Sequence, residues 1–193
     1  MKTALSLILL ATSWRIAAAA QPALGNFSPL MALAFCSAVY FRSLWMWLVP
    51  FAALSASDLY LNQHYASLYG YEWDLGGVLI RTACFAAALA FGWMVARRKN
   101  WLTLLAGCVG GSLLFYVVTN TSAFLGDAFY AKTMAGWWQA MTIGHPEFPA
   151  TIYFFRSTFV SDLLFTGLFV LAMEWAALRA GRPSLLKRAA RAV

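Results

Sequence analysis

Charge is what this sequence has least of. Asp and Glu number 7 and Lys and Arg 14 in 193 residues, so charged side chains make up 11% of the chain, against roughly 25% in soluble domains. Hydrophobic residues reach 62% and mean hydropathy is +0.68, more apolar side chain than a soluble core of this size can hide. An ordinary soluble domain is excluded. Cysteine is also scarce: Cys36, Cys84 and Cys108 each lie in an apolar run without CxxC spacing, which argues against a disulfide framework or a zinc site. The two histidines, His64 and His145, show no H-E-x-x-H or Cys/His spacing, so a metal motif is missing. Nucleophile elbow, phosphate-binding loop and paired-carboxylate motif are absent too, and the chain reads as a non-enzyme. The net charge of +7 lies between apolar runs and at the C-terminus. A nucleic-acid face would gather basic residues beside polar neighbours, so this distribution excludes nucleic acid and instead matches membrane topology signals. The partner it implies is a lipid bilayer.

What the chain does have is long apolar runs. A hydrocarbon core of about 30 Å needs roughly 20 helical residues at about 1.5 Å each, and six stretches approach that length: 3–20, 28–42, 44–61, 75–96, 101–119 and 157–179. The reading is all-α, a polytopic six-transmembrane-helix bundle formed by one integral membrane domain over 1–193. Gly70, Gly76, Gly77, Asn100 and Pro149 punctuate the ends. The second and third stretches, separated by 41–43, resemble a tight helical hairpin. The first has two readings: a retained helix, or a signal peptide in which Lys2 precedes an apolar region and Ala17 to Ala20 offer a cleavage site. Arg15 interrupts that region and favours retention.

Basic residues set the orientation. Six spans with a cytoplasmic N-terminus put Arg42, Arg97, Arg98, Lys99, Arg179, Arg182, Lys187, Arg188 and Arg191 on the same side as Lys2. Loss of the first helix leaves the other spans oriented alike. The expected location is therefore a bacterial inner membrane, multi-pass, with both termini cytoplasmic. Two aromatic segments then face outward. One is the long loop 119–162 between helices 5 and 6, with Phe124, Phe129, Tyr130, Trp137, Trp138, Phe148, Tyr153, Phe154 and Phe155; the other, 60–73, carries His64, Tyr69, Tyr71 and Trp73.

Charges within apolar spans need a partner or a watery cavity. Asp58, Arg81, Asn120 and Asp162 come from four spans and fall at similar depth near the outer side. They suit either a structural network, with Arg81 clamped between Asp58 and Asp162, or the floor of a polar pocket. Arg156 lies six positions before Asp162, off its helix face. Glu174 is expected to pair near Arg179 at the inner interface. The run KTMAGWWQAM (132–141) fits an interfacial helix, its rings either belonging to a membrane aromatic belt or forming a lid. Cys84 follows Arg81 by one helical turn; it reads as a small buried hydrophobe, or as a thiolate that a neighbouring Arg would favour. Gly107 with Gly111, and Ala34 with Ala38, mark faces for close helix packing inside the bundle.

Five runs carry a resemblance: NFSPLMALAF (26–35), PFAALSASDLYL (50–61), LLFYVVTN (113–120), YAKTMAGWW (130–138) and YFFRSTFVSDLLFTGLF (153–169). Together they resemble a family of bacterial six-helix membrane proteins catalogued as a domain of unknown function, with Asn26, Pro29, Asp58, Asn120, Lys132, Thr133, Arg156 and Asp162 at matching positions. The organisation is similar to that of the substrate-binding (S) components of energy-coupling-factor vitamin transporters. That resemblance implies an outer ligand pocket under loops and an energy-coupling ATPase module as partner, although the Ala-xxx-Ala docking face of the first helix is missing here. A solitary S component is the better match. One such group takes up cobalamin through a cysteine on cobalt, which would give Cys84 that role, with cobalamin a transported ligand rather than a cofactor.

The expected function is uptake of a small vitamin-like molecule. Tyr69, Tyr71, Trp73, Trp137 and Trp138 would stack on it, and Asp58, His64, Arg81, Asn120, Arg156 and Asp162 would complete the pocket. The alternative is a membrane scaffold or assembly protein without a pocket.

Overall fold

A computed structural model describes residues 2–19, 21, 27–41, 43–70 and 75–186. Its described elements are all helical: α1 (Lys2–Ala19), α2 (Leu30–Tyr40), α3 (Leu44–Tyr69), α4 (Leu75–Arg97), α5 (Trp101–Gly126), α6 (Met134–Thr142) and α7 (Thr151–Arg179). Each of the six apolar stretches contains a helix, the second only over Leu30–Tyr40, and α6 is the short helix expected within 132–141. Three of them, α4, α5 and α7, are long and apolar enough to cross a membrane, which fits a membrane protein in contact with lipid. Tyr71, Trp73, Asn26, Arg42, Lys187, Arg188 and Arg191 lie outside the described residues, as does the side chain of Tyr69.

The shortest of the apolar helices sits at the centre. The sequence of α2, LMALAFCSAVY, is apolar on all sides, and Met31 to Val39 are all buried; a helix of that kind belongs inside a bundle. It packs on α3, α4, α5 and α7. At 11 residues it is about 16 Å long, too short to cross a hydrocarbon core of about 30 Å alone.

Small residues let its neighbours close in. A Cβ on Gly92 of α4 would lie 2.2 Å from the Phe35 carbonyl oxygen and 2.8 Å from the Ala38 Cβ, and one on Gly107 of α5 would lie 2.5 Å from the Phe35 ring. The Ala38 and Gly107 faces therefore serve packing within the chain. Gly111 has room for a side chain, its nearest neighbour being the Met31 methyl at 4.0 Å.

Three helices outrun the apolar stretches that mark them. α3 continues to Tyr69 rather than 61, α5 to Gly126 rather than 119, and α7 begins at Thr151 rather than 157. Hydropathy marks the lipid-compatible part of a helix, whereas caps set where it ends. Gly70 terminates α3 in the left-handed region at φ 69. The expected 60–73 loop is thus helix up to Tyr69. Asn100 and Thr103 close a reciprocal capping box at the start of α5.

The bundle is fastened at the basic turn between α4 and α5. Glu174 of α7 is fully buried and pairs with Lys99, not with Arg179. It also accepts from the Tyr40 hydroxyl at 2.8 Å and the Leu185 N–H at 2.7 Å. Arg179 instead lies over the Trp175 ring.

Candidate functional site

Away from that basic turn, in the second half of α5, the chain folds back on itself. Thr133 caps α6 by accepting from the Gly136 N–H at 3.2 Å. Three contacts then staple the returning segment to α5. The Tyr116 hydroxyl donates to the Met141 carbonyl, the Trp137 indole donates to Thr121 Oγ1 at 3.0 Å, and the Lys132 ammonium donates to the carbonyls of Phe124 and Asp127. Gly144, at φ 78, turns the chain toward Thr151 at the head of α7; a side chain there would meet Thr151 Oγ1 at 2.4 Å.

Under this fold-back, between α5 and α7, lies a cavity of about 330 Å³. Tyr116, Tyr130, Phe148, Phe154 and Phe155 wall it, and Thr119, Asn120, His145, Thr151 and Thr158 add polar groups. Among the described residues no Asp, Glu, Lys or Arg lines it. Tyr116 and Phe155 pack with ring centroids 4.3 Å apart, and His145 lies against Phe129 at 4.4 Å. Burial, helped by nearby Asp127, raises the Tyr130 phenol above its ordinary range. Ser112 lies at the floor and donates to the buried carboxylate of Asp162 at 2.6 Å. Such a chamber of aromatic walls and a few hydrogen-bonding groups is the ordinary form of a small-molecule site.

The chain belongs to a family of unknown function, DUF6580, whose model matches residues 1–185. No curated protein and no solved structure matches it.

In this DUF6580 chain the expected site residues divide among several places. Asp58 and Arg81 do meet, Nε to Oδ2 at 2.9 Å, but the second clamp on Asp58 is Arg15 at 2.7 Å rather than a link through Asp162. Arg15 is 6% exposed and also donates to the Leu54 carbonyl and to Ser57 Oγ. Two arginines from α1 and α4 thus close on one carboxylate of α3. The rule that a charge in an apolar helix needs a partner marks Arg15 as strongly as it marks Asp58.

Asp162 has a different task. Pro29 precedes α2 without supplying a side-chain cap; Asp162 reaches across from α7 and accepts the Ala32 N–H at 3.1 Å. A carboxylate at a helix N-terminus satisfies open N–H groups and meets the positive end of the dipole.

Of the expected residues that are described, only Asn120 lines the 330 Å³ cavity. Arg81 borders a separate space of about 500 Å³ between α4 and the end of α5, which shares Thr119 with the first. Trp137 is held in its bond to Thr121, and Trp138 is 64% exposed. Arg156 is exposed on α7, and His64 stacks on Tyr60 along α3 at 6.0 Å. Cys84 is 1% exposed in the apolar core with Phe35 and Phe85 and lines neither cavity. Tyr130, Phe148, Phe154 and Phe155 belong to the aromatic set visible in 119–162, whereas Tyr116 sits inside an apolar run that no spacing distinguishes.

Proposed function

We propose that this chain is a six-pass inner-membrane protein that binds a small neutral molecule in the α5–α7 cavity from the outer side, as an uptake component of the S-component kind. The observation that carries the reading is the cavity itself: a chamber with aromatic walls and no carboxylate, ammonium or guanidinium in its described lining, covered by a segment that three polar contacts hold down. The basic turn at the other end of α5 supports an outward-facing cavity, because basic residues favour the cytoplasmic side. In this topology α2 forms the inner half of the second pass.

The ligand class follows from the lining. Hydroxyl, amide and imidazole groups match a compound with hydrogen-bonding edges and a flat face for the rings. A volume of about 330 Å³ suits a single-ring vitamin-sized molecule and is far too small for a corrinoid, and Cys84 is buried away from it. Cobalamin is therefore the weaker candidate.

The test is a thermal-unfolding series in mild detergent against a panel of water-soluble vitamins and nucleobases. One compound should raise the midpoint, since binding at about 100 times Kd stabilises by about 2.7 kcal/mol, and Asn120→Trp should abolish the shift. A panel-wide lack of response would count against the reading. A scaffold without ligand is the second reading, favoured by the Arg15–Asp58–Arg81 and Glu174 networks, which fasten helices on their own. It predicts that Asn120→Trp changes nothing but stability.

A further inference from the structure

At the opposite end of the bundle from the ligand cavity, a groove of about 970 Å³ runs between α2, the start of α3 and α4. Its α4 wall repeats every three to four residues, Ala86, Leu89, Ala90, Trp93, so one helix face lines it. Ala86 and Ala96, both in the wall, are ten residues apart and so about 15 Å apart along the axis, the depth of one leaflet of a core about 30 Å thick. The deep part is made of small alanines that leave an open apolar channel. The mouth is different: Trp47 and Trp93 border it, and Arg97 and Lys99 close it.

The same two cations also line a second cup of about 300 Å³ together with Arg98, Pro183 and Ser184. Arg97 lies over the Trp93 ring at 3.7 Å, which fixes the guanidinium at the groove mouth while its N–H edge remains free to donate. Lys99 is committed to Glu174. Among the described residues, Arg97 and Arg98 have no carboxylate partner, so three cations face one buried carboxylate and the excess charge is positive.

We propose that this groove is a binding site for an anionic glycerophospholipid of the cytoplasmic leaflet, with one acyl chain along the Ala86 and Ala90 face and the phosphate between Arg97 and Arg98. Charge complementarity and depth both point to that occupant: an apolar channel one leaflet deep opens on unpaired arginines at headgroup level, where basic residues attract anionic lipid. A zwitterionic lipid would offer the same phosphate but bring its own ammonium, leaving the excess positive charge uncompensated. The site rests on α4 standing in the bilayer and is independent of the ligand cavity.

The full chain, delipidated in mild detergent, is titrated by native mass spectrometry with phosphatidylglycerol, with phosphatidylcholine of the same chains, and with glycerol 3-phosphate. One phosphatidylglycerol should bind at least about tenfold tighter than phosphatidylcholine, and glycerol 3-phosphate should not bind. Arg97→Gln with Arg98→Gln, both on exposed side chains, should erase the headgroup preference and leave chain-driven binding, whereas Ala90→Trp should weaken both lipids. Equal binding of the two lipids, a preference that survives the double substitution, or glycerol 3-phosphate binding as tightly as the lipid would each overturn the site.

Discussion

Asp58 is the residue whose surroundings decide most. It is 4% exposed and shared by two arginines, one buried and one partly open. Removing it leaves two positive charges facing each other inside the bundle, and breaking a buried pair costs about 3–5 kcal/mol. Asp58→Ala should therefore lower the unfolding midpoint in detergent far more than Arg81→Ala, which leaves the buried Arg15–Asp58 pair intact and removes a side chain already 26% exposed; equal losses would contradict the clamp. The glycines give a second contrast. Gly92→Ala drives a methyl into the Phe35 carbonyl, whereas Gly110→Ala meets nothing within 4 Å. Overpacking costs about 1–3 kcal/mol, while alanine is favoured over glycine in a helix by about 1 kcal/mol, so the two substitutions should move the midpoint in opposite directions. Asp58 and Arg81 were legible in the sequence because charge in an apolar run is conspicuous. Their pairing with Arg15 was less so, since Arg15 stands in a stretch that also resembles a leader. Asp162 was visible as an anomaly, but its role as the cap of α2 depends on a contact 130 positions away that no local pattern encodes.

Among the elements, α6 is the shortest and is fastened to α5 through Tyr116 and Trp137. It touches α5 and α7 and is held by side-chain donors as well as by its buried Ala140 and Met141. Each such bond contributes about 0.5–1.5 kcal/mol, so Tyr116→Phe combined with Trp137→Phe should raise amide exchange across α6 severalfold and leave α4 unchanged. Exchange rising equally in α4 would mean that α6 opens only with the whole bundle. The Thr133 cap of α6 emerges only from the structure, whereas the existence of the helix was readable from KTMAGWWQAM. The direction of its rings was not: tryptophan at an interface suits either a belt or a lid, and here Trp137 is spent on a staple while Trp138 faces outward. The apolar helices were legible because hydropathy reports them directly. Their true ends were not, because caps such as Gly70 lie beyond the apolar residues.

For the whole molecule, the proposed topology puts a ligand cavity and a basic end on opposite faces of one membrane. Cys36, Cys84 and Cys108 are all buried, so single introduced cysteines report cleanly. Ala135→Cys, exposed on α6, should react with an impermeant maleimide in intact cells, and Arg98→Cys only after permeabilisation. The reverse pattern would invert the orientation. Beyond topology stands the claim that the cavity holds a molecule. The direct measurement is to purify the full chain in mild detergent, unfold it, and determine by mass analysis which small compounds it releases. The account predicts one non-lipid, uncharged compound at close to one per chain from the native sequence and none from Asn120→Trp; no such compound from the native protein, or the same amount from both, would contradict it.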